Sequence, residues 1–512
     1  MVLSLVFGLV SLFVSQAATA QPGRKGQAQE DRVEVCHRQG EGRWALLSLP
    51  PSAVPAHLAH GDGLPLGIVP DSLGLKFDAA CVPVQFTTVI VAGPEAGGAD
   101  VAGISQALDA LIAELGVQTT YVGLQGDLQD VIDEAIATGE PPTVPGTSVV
   151  IDILVVPVPG AIAELANAGV AVAASPAAAA TATEGWSDDW LNYATVDGTL
   201  FAVPNKSDLK SLVWYKESTF KDPGGAPYPI PTTFAELLAL TDAIIANGQT
   251  PWCVGIESGP ATGWNFTDWV ELRLLGSQPP DLYDSWVAND VGFDDPRIRA
   301  AWNEVLSVWN TPGAVFEGLL SPTPGVGIAE THFFDSVLNL TADDECLMHR
   351  QAQFVSFAFD PADARTFPFP ADSADSSPAL GGGTFAVALR PDIEVELVHE
   401  YLATPDYADA RHAAQLEGFL SAVQGQDLSA LDPLQRSFTE ILQTADVFRL
   451  DASDLMPPEI GANLQPGGFW FEGTNAVIGV GQSVGPFTGK SVDDATQEIA
   501  DRFCVIAPGD AC

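Results

Sequence analysis

The sequence predicts an α/β protein in which the α/β pattern occurs twice along the chain. Apolar runs of strand length alternate with amphipathic helical patterns between residues 87 and 156. The order β-α-β-α-β is typical of a parallel sheet with right-handed crossovers. The alternation restarts after Pro204, which indicates a second lobe. The chain has 512 residues, 46% of them hydrophobic, and is long enough for more than one domain with its own core.

The first lobe is predicted from three strands and two helices. Strands are expected over residues 87–92, 117–122 and 149–156, and helices over residues 103–115 and 128–136. The run 149–156 is almost continuously apolar, as a strand covered on both faces requires. Ligands of such sheets bind beyond the carboxyl ends of the strands. The loops at residues 93–98 and 156–160 are therefore candidate parts of a binding site.

The second lobe is predicted to begin with a strand at residues 212–215. Thr233 and Glu236 form a capping box that opens a helix ending near Gly248. A further strand is expected at residues 251–256, and later helices at 295–309, 393–402 and 433–444. The final helix is expected to begin at Ser491.

Charge and the N-terminal pattern indicate an exported protein without a polyanionic partner. Acidic residues number 66 against 21 basic ones, a net charge of −45, which argues against nucleic acid or anionic lipid as a ligand. Residues 1–20 form an apolar segment ending in Ala18-Thr19-Ala20, the pattern of a signal peptide. An uncleaved membrane anchor is the alternative. Residues 21–31 are a polar spacer, and we expect a periplasmic or extracellular location.

The six cysteines indicate structural disulfides, because their number is even and the chain has an export signal. Their clustering along the chain predicts three pairs, which are Cys36–Cys81, Cys253–Cys346 and Cys504–Cys512.

A small module, residues 32–81, precedes the first predicted strand of the main body. Cys36, His37, His57, His60 and Asp62 have side chains of the types that bind a transition metal. The alternative is a Cys36–Cys81 disulfide with the histidines hydrogen-bonded inside a small core. We expect this module to fold separately and to contribute nothing to ligand affinity.

Enzymatic motifs are missing from the sequence. Residues 485–491 resemble a phosphate-binding loop but have three residues between the glycines where four are needed. We interpret them as a turn before the final helix, and we expect neither enzymatic activity nor a cofactor.

Tryptophans near acids, as at Trp264 and Trp470, favour a sugar site. Aromatic faces suit the apolar face of a pyranose, and carboxylates bind its hydroxyls.

Several segments resemble the sugar-binding proteins of ABC importers, the extracellular solute-binding family 1. Residues 198–215 (Gly-Thr-Leu-Phe-Ala-Val-Pro-Asn-Lys-Ser-Asp-Leu-Lys-Ser-Leu-Val-Trp-Tyr) resemble the crossover segment of this family. Residues 231–237 resemble the start of its next helix. Four further segments are similar to its alpha-glucoside-binding branch, namely residues 251–269, 346–354, 400–405 and 448–457. The resemblance covers residues 86–503, and the preceding module resembles a short cysteine- and histidine-containing unit of secreted bacterial proteins.

The resemblance implies a two-lobed periplasmic-binding-protein-like fold of type II, with a hinge and an interlobe cleft that closes around a solute. It places lobe 1 at about residues 86–204 with 381–432 and parts of the C-terminal region. Lobe 2 would hold residues 207–378 and the remainder, followed by a tail at residues 504–512. It also supports the Cys253–Cys346 pair. The implied partners are a sugar and a membrane permease, and the implied state is a soluble monomer; a sensor or surface adhesin is the alternative role.

The resemblance also implies which residues contact the sugar. The family places contacts after the first predicted strand, after the strand that ends at residue 156, and in the crossover at residues 198–215. It places further contacts around Trp264, after Cys346 and in a second crossover at residues 382–383. In this sequence these positions are Glu95, Pro157, Lys206, Asp208, Glu257, Trp264, Asp268, Arg350, Gly382, Gly383 and Trp470. The sequence departs from the alpha-glucoside-binding branch at two places, which indicates that its sugar differs. Thr384 replaces an acid that is usual in that branch, and residues 92–98 lack the aromatic side chain often found there.

Overall fold

The computed structural model describes residues 32–40, 42–318, 327–415, 418–461 and 465–512. The predicted signal peptide (1–20) and spacer (21–31) lie outside the described residues. Across the described ranges, no helix combines the length and the hydropathy needed to cross a bilayer.

The N-terminal module consists of two small antiparallel sheets and one helix. Its elements are β1 (Val33–Arg38), β2 (Trp44–Leu49), α1 (Val54–Ala59), β3 (Leu75–Phe77) and β4 (Pro83–Gln85), with β1 paired to β2 and β3 to β4. Only five hydrophobic residues among its described residues are buried, namely Val35, Cys36, Val69, Phe77 and Cys81. Cys36 and Cys81 form the predicted disulfide, with Cα atoms 5.3 Å apart.

The three strands expected in the first lobe pair in parallel, but they belong to a mixed sheet. Its elements up to the crossover are β5 (Val89–Gly93), α2 (Gly98–Leu108), α3 (Ala110–Leu115), β6 (Thr119–Gly123), α4 (Leu128–Thr138), β7 (Ile153–Val156), α5 (Pro159–Asn167), α6 (Pro176–Gly185), α7 (Asp188–Tyr193), β8 (Thr195–Val196), β9 (Thr199–Leu200) and β10 (Ala202–Leu209). Strand β5 pairs in parallel with β6 and β7, whereas the later strand β14 (Pro378–Ala388) is antiparallel to β7 and β10. The sheet order is β10-β14-β7-β5-β6, with the later strand β15 beside β14.

Strand β7 is covered on both faces, as its continuous apolar pattern predicts. Ile153 and Val155 belong to the core on one face, and Leu154 and Val156 to the core on the other. The prediction of one helix over residues 103–115 was wrong. The helix begins earlier, at Gly98, and is divided into α2 and α3 at Asp109.

The second lobe is built around a short antiparallel sheet. Its elements are β11 (Leu212–Lys216), α8 (Phe234–Ala246), α9 (Trp264–Ser277), α10 (Pro280–Val287), α11 (Pro296–Asn310), α12 (Phe333–Thr341), β12 (His349–Arg350) and β13 (Ala364–Pro368), with β11 between β12 and β13. The strand predicted at residues 251–256 was wrong. Backbone groups there bond to several separate segments, since Cys253 N donates to Met348 O at 2.9 Å and Ile256 N to Ile328 O at 2.9 Å.

The remaining chain completes both lobes. Its elements are β14 (Pro378–Ala388), α13 (Ile393–Leu402), α14 (Pro405–Ala414), α15 (Pro433–Thr444), β15 (Val447–Leu450), α16 (Ala452–Leu455), α17 (Phe469–Ile478), β16 (Ser483–Val484), β17 (Phe487–Thr488) and α18 (Val492–Ile506). Strand β14 is buried along its whole length and joins β10 to β7. The predicted helices 393–402 and 433–444 are confirmed, and Ser491 caps α18.

The other two predicted disulfides are also present. Cys253 pairs with Cys346, with Cα atoms 5.6 Å apart. Cys504 pairs with Cys512, with Cα atoms 5.5 Å apart. Cys504 lies within α18, so this bond holds the end of the chain against the final helix.

The N-terminal module is held against the first lobe by a charged contact. Lys76 Nζ lies 2.8 Å from Glu394 Oε2 and 3.1 Å from Asp392 Oδ1, at the beginning of α13. Gly74 N donates to Leu115 O at 2.9 Å, just before β6. These contacts lie where β5 and β6 begin, so the module docks at the end of the sheet opposite to the loops that follow the strands.

A buried group of charges lies where the chain first crosses between the lobes. Lys210, between β10 and β11, forms ion pairs with Asp268 of α9 (3.4 Å) and with Asp451, which follows β15. Glu271, one turn after Asp268, accepts hydrogen bonds at Oε2 from Tyr283 Oη (2.8 Å) and Ala452 N (2.7 Å). Asp268, Glu271 and Asp451 are buried, so carboxyl groups outnumber the ammonium group that they surround.

This excess of acids favours protonation of Glu271. Burial, together with the charges of Asp451 and Asp268, raises the pKa of Glu271 well above its usual range. Burial also raises the pKa of Asp268 to about 6, although Lys210 and Arg350 act in the opposite direction. For Asp451, burial acts to raise the pKa, but the charge of Lys210 together with hydrogen bonds from Lys210 and Ser453 lowers it to about 2. Glu271 is therefore the member of the group that keeps its proton most strongly.

Stability should fall as pH rises above the unfolded pKa of Glu271, because the unfolded chain then releases a proton that the folded protein keeps. A carboxyl whose pKa is raised by folding stabilises the folded state below its unfolded pKa, near 4.5, and this contribution is lost as pH rises toward the folded value. The glutamine side chain of the Glu271→Gln variant cannot ionise. Between pH 5 and 9, its free energy of unfolding should rise relative to the parent protein by on the order of 1 kcal/mol or more, since one pKa unit corresponds to about 1.4 kcal/mol.

Urea unfolding of both proteins across this pH range measures the difference. Glu472→Gln is a matched control, because Glu472 is also fully buried but is paired with Lys490 at 2.7 Å. The control should be less stable than the parent protein, because the substitution removes the buried partner of the Lys490 ammonium group. Parallel pH profiles for Glu271→Gln and the parent protein would contradict the assignment of the proton to Glu271.

Candidate functional site

A polar edge lies at the carboxyl ends of the first-lobe strands. Lys206 Nζ, on β10, lies 3.5 Å from Glu95 Oε1, which follows β5, and 3.9 Å from Asp208 Oδ1. Tyr121 Oη donates to Glu95 Oε2 at 3.2 Å. Burial lowers the pKa of Lys206, but the carboxylates of Asp208 and Glu95 outweigh it, so the pKa lies above its usual value and the amine stays charged. We call Glu95, Lys206 and Asp208 the polar edge.

A small cavity opens beneath the polar edge. Its polar lining comes from the ends of β5, β6 and β10 and from helix α14, and consists of Glu95, Tyr121, Asn205, Lys206, Tyr407 and Arg411. Hydroxyl, amide, carboxylate and cationic groups thus converge at the sheet end where ligands of α/β folds bind.

A group of aromatic side chains lies on the second lobe. Trp264 begins α9, and its ring centroid lies 5.4 Å from that of Phe333 and 6.3 Å from that of Phe354. Glu257 is joined to this group by its backbone, since Phe333 N donates to Glu257 O at 3.1 Å. Trp264 is only half-buried, so part of its ring remains accessible. We call Trp264, Phe333 and Phe354 the aromatic wall.

Trp470 lies next to the turn that carries Trp264. Gly263 has a φ of 104°, and a Cβ at this position would lie 2.3 Å from Trp470 O. A glycine is required there, because any side chain would collide with the backbone of α17. Trp470 is half-buried, and its indole Nε1 has no hydrogen-bond partner among the described atoms.

Two residues connect the polar edge with the aromatic wall. Gln353 Nε2 donates to Asp208 Oδ1 at 2.6 Å, and Gln353 is followed directly by Phe354. Lys210 Nζ lies 5.8 Å from the centroid of the Trp264 ring, a cation–π geometry. The two surfaces therefore meet at the crossover between the lobes.

Asp268 and Arg350 lie beneath this surface. Arg350 Nη1 donates to Asp268 Oδ2 at 2.8 Å, and Nη2 donates to Lys210 O at 2.8 Å. Both side chains of the pair are fully buried. In this conformation they support Trp264 and Lys210 from inside and are not accessible to a ligand.

The remaining expected positions contribute mainly backbone. Pro157 is half-buried after β7, the neighbour of β5. Gly382 and Gly383 pair with Asp208 and Ser207 across β14 and β10. A Cβ on Gly383 would lie 2.5 Å from the ring of Trp190, so this glycine is required for packing.

Sequence reasoning missed several residues of the site. Lys210, Gln353 and Phe354 lie inside the motifs that carried the family resemblance, but nothing local distinguished them from their neighbours. Tyr407 and Arg411 reach the cavity from α14, far along the chain. Their placement depends on long-range packing.

Comparison with known proteins is consistent with this architecture. The family model for bacterial extracellular solute-binding proteins matches residues 98–315. The osmoprotective compounds-binding protein GgtB of Synechocystis sp. is 34% identical over 376 residues, which cover 72% of this chain and 83% of that protein. The alpha-glucosides-binding periplasmic protein AglE of Rhizobium meliloti is 33% identical over 372 residues, which cover 69% of this chain and 76% of that protein.

Solved structures show the same two-lobed fold. The bacterial solute receptor AcbH superposes with a TM-score of 0.66 at 13% identity, covering 82% of this chain and all of that one. RafE of Streptococcus pneumoniae gives a TM-score of 0.59 at 13% identity, covering 84% of this chain and all of that one. The extent of the match to GgtB, the family model and the shared fold lead to one conclusion: the chain belongs to the bacterial extracellular solute-binding proteins.

Proposed function

We propose that this protein is the carbohydrate-binding component of an ABC importer and captures a neutral glucoside or short oligosaccharide between its lobes. The observation that carries the proposal is the direct connection of the polar edge to the aromatic wall through Gln353. The sugar would be bound by lobe closure and passed to a membrane permease.

The polar edge and the aromatic wall match the polar rim and the apolar C–H patches of a pyranose ring. Hydroxyl groups lie around the rim of the sugar ring and both donate and accept hydrogen bonds, which suits Glu95, Lys206 and Asp208. The C–H groups form apolar patches that suit the half-buried ring of Trp264. Glu95 and Asp208 carry two negative charges, and Lys206 with Arg411 of the cavity lining carries two positive charges, so a neutral ligand fits better than an ion.

GgtB is named for osmoprotective compounds, whereas several other relatives and structures are named for carbohydrates. AglE is named for alpha-glucosides, and solved structures of the same fold include RafE in complex with raffinose and AcbH, with a preference for galactopyranose. Because the names of these proteins cite different sugars, they support the class of ligand and not one sugar.

Export and coupling to a permease complete the proposal. Residues 1–20 have the pattern of a signal peptide. The family consists of extracellular solute-binding proteins, so the expected role is capture of the ligand outside the membrane. A soluble monomer that docks on the permease in its sugar-bound form is the expected working state.

A ligand screen tests the ligand class directly. The protein without residues 1–20 is heated with maltose, trehalose, sucrose, raffinose, galactose or, as a non-carbohydrate control, glycine betaine. A sugar at about 100 times its Kd should stabilise the native state by about 2.7 kcal/mol and raise the melting temperature. Stabilisation by betaine and by none of a broad sugar panel would contradict the proposal.

Trp264→Ala should weaken sugar binding. Loss of the stacking surface should cost about 1.5 to 3 kcal/mol, the range for burying a large apolar side chain, or roughly 10- to 150-fold in Kd by calorimetry. Trp44→Ala is the matched control, since Trp44 is also half-buried but lies in the N-terminal module. Unchanged affinity in a folded Trp264→Ala protein would show that this ring does not contact the sugar.

Sugar binding should close the lobes. The polar edge belongs to lobe 1 and the aromatic wall to lobe 2, so a sugar that contacts both must hold them together. Small-angle scattering should give a smaller radius of gyration at saturating sugar than without it. An equal radius with a tightly bound sugar would contradict the closure mechanism.

A further inference from the structure

Three side chains from separate parts of the N-terminal module converge on one point. His37 Nδ1, on β1, lies 2.8 Å from Asp62 Oδ2, and His57 Nδ1, on α1, lies 2.6 Å from the same oxygen. All three candidate ligand atoms lie within 4.8 Å of one another. Sequence analysis had grouped His60 with the two histidines, but His60 is exposed and lies outside this cluster.

The backbone fixes the three residues relative to one another. Cys36 is tied to Cys81 by the disulfide, and it exchanges two hydrogen bonds with Gly63, at 2.8 and 3.1 Å. His37 and Asp62 are the neighbours of these two residues and are therefore held side by side. Arg38 N donates to Asp62 Oδ1 at 2.8 Å, which leaves Oδ2 directed toward the imidazoles.

The surroundings favour a cation at this point. Asp62 is almost fully buried, and the guanidinium of Arg38 is paired with Asp71 at 3.0 Å and not with Asp62. The carboxylate is therefore met by two imidazoles and a backbone N–H. The side chains of His37 and His57 are 39% and 28% exposed, so an ion in solution can reach them.

We propose that His37 Nδ1, His57 Nδ1 and Asp62 Oδ2 bind one divalent transition-metal ion of the Zn²⁺ or Co²⁺ type, with the remaining position open to water. Imidazole and carboxylate are suitable ligands for these ions. Tetrahedral bonds of about 2.0 Å place ligand atoms about 3.3 Å apart, so small side-chain movements suffice. Binding through Nδ1 requires each imidazole to carry its proton on Nε2, so that Nδ1 offers a lone pair to the ion.

The other cluster of possible ligands is different. Asp268, Glu271 and Asp451 also lie within reach of one another, but the ammonium group of Lys210 already lies among them and provides the positive charge. Among the described residues, no lysine or arginine side chain is paired with Asp62 in the module cluster.

The position of the site indicates a structural role. Only five hydrophobic residues are buried in the described part of the module, and small domains of this kind commonly depend on disulfides or metals. A metal joining β1, α1 and the following turn would add a second link to Cys36–Cys81. The module docks through Lys76 at the end of the sheet opposite the polar edge, so metal binding should leave sugar affinity unchanged.

Metal titration of the full exported chain with its disulfides intact tests the proposal. Co²⁺ and Zn²⁺ are added in the presence of high salt and excess Mg²⁺. These cations occupy the exposed carboxylates of the acidic surface, so that Co²⁺ and Zn²⁺ do not bind there. We expect one Co²⁺ per chain with the absorption of a tetrahedral site, displaced by Zn²⁺. His57→Ala and His37→Ala should each weaken binding by roughly 10- to 100-fold or more, the range seen when even the supporting partners of metal ligands are lost.

His60→Ala is the matched control, because His60 lies three residues after His57 but outside the cluster, and it should bind Co²⁺ like the parent chain. Long-range ¹H–¹⁵N spectra of the parent chain give a readout independent of the variants, since Zn²⁺ should move the Nδ1 signals of His37 and His57. Unshifted signals, or equal Co²⁺ binding in His57→Ala, would overturn the proposal and leave a hydrogen-bonded triad only.

Discussion

The ammonium group of Lys210 connects the parts of the molecule that must work together. It lies at the first crossover, between Asp268 of α9 and Asp451 after β15, in a region with more acids than bases. Removing one partner from a buried ion pair leaves an uncompensated charge. The positions of the groups around Lys210 are therefore strongly constrained. Because Asp268 and Asp451 come from different lobes, their ion pairs with Lys210 also constrain how the lobes are placed.

The candidate site depends on this constraint. Trp264 lies one helical turn before Asp268 on α9, so the ion pair that fixes Asp268 also fixes the aromatic wall. On the other side, β10 carries Lys206 and Asp208 toward the same crossover. The buried charges, which include Arg350 and Asp268, thus lie beneath the accessible groups that we propose as the surface for a ligand.

Local sequence patterns predicted the first lobe well, because β5, β6 and β7 are defined by short-range apolar runs and helix signals. The same reasoning failed at residues 251–256, where burial comes from the Cys253–Cys346 bond and from packing against separate segments, without a strand partner. It also included His60 with His37, His57 and Asp62 as a candidate ligand, although His60 is exposed and lies outside the cluster that these three form. Both errors concern contacts between distant parts of the chain, which periodicity does not record.

The central claim is that one ligand is held between the polar edge and the aromatic wall. A crystal structure of the protein with a sugar identified by its Kd tests this most directly. The account predicts the sugar ring stacked on Trp264, with hydroxyl groups bonded to Glu95, Lys206 or Asp208, and Asp268 and Arg350 still paired beneath it. A sugar bound to one lobe alone, or away from the crossover at Lys210, would contradict the account.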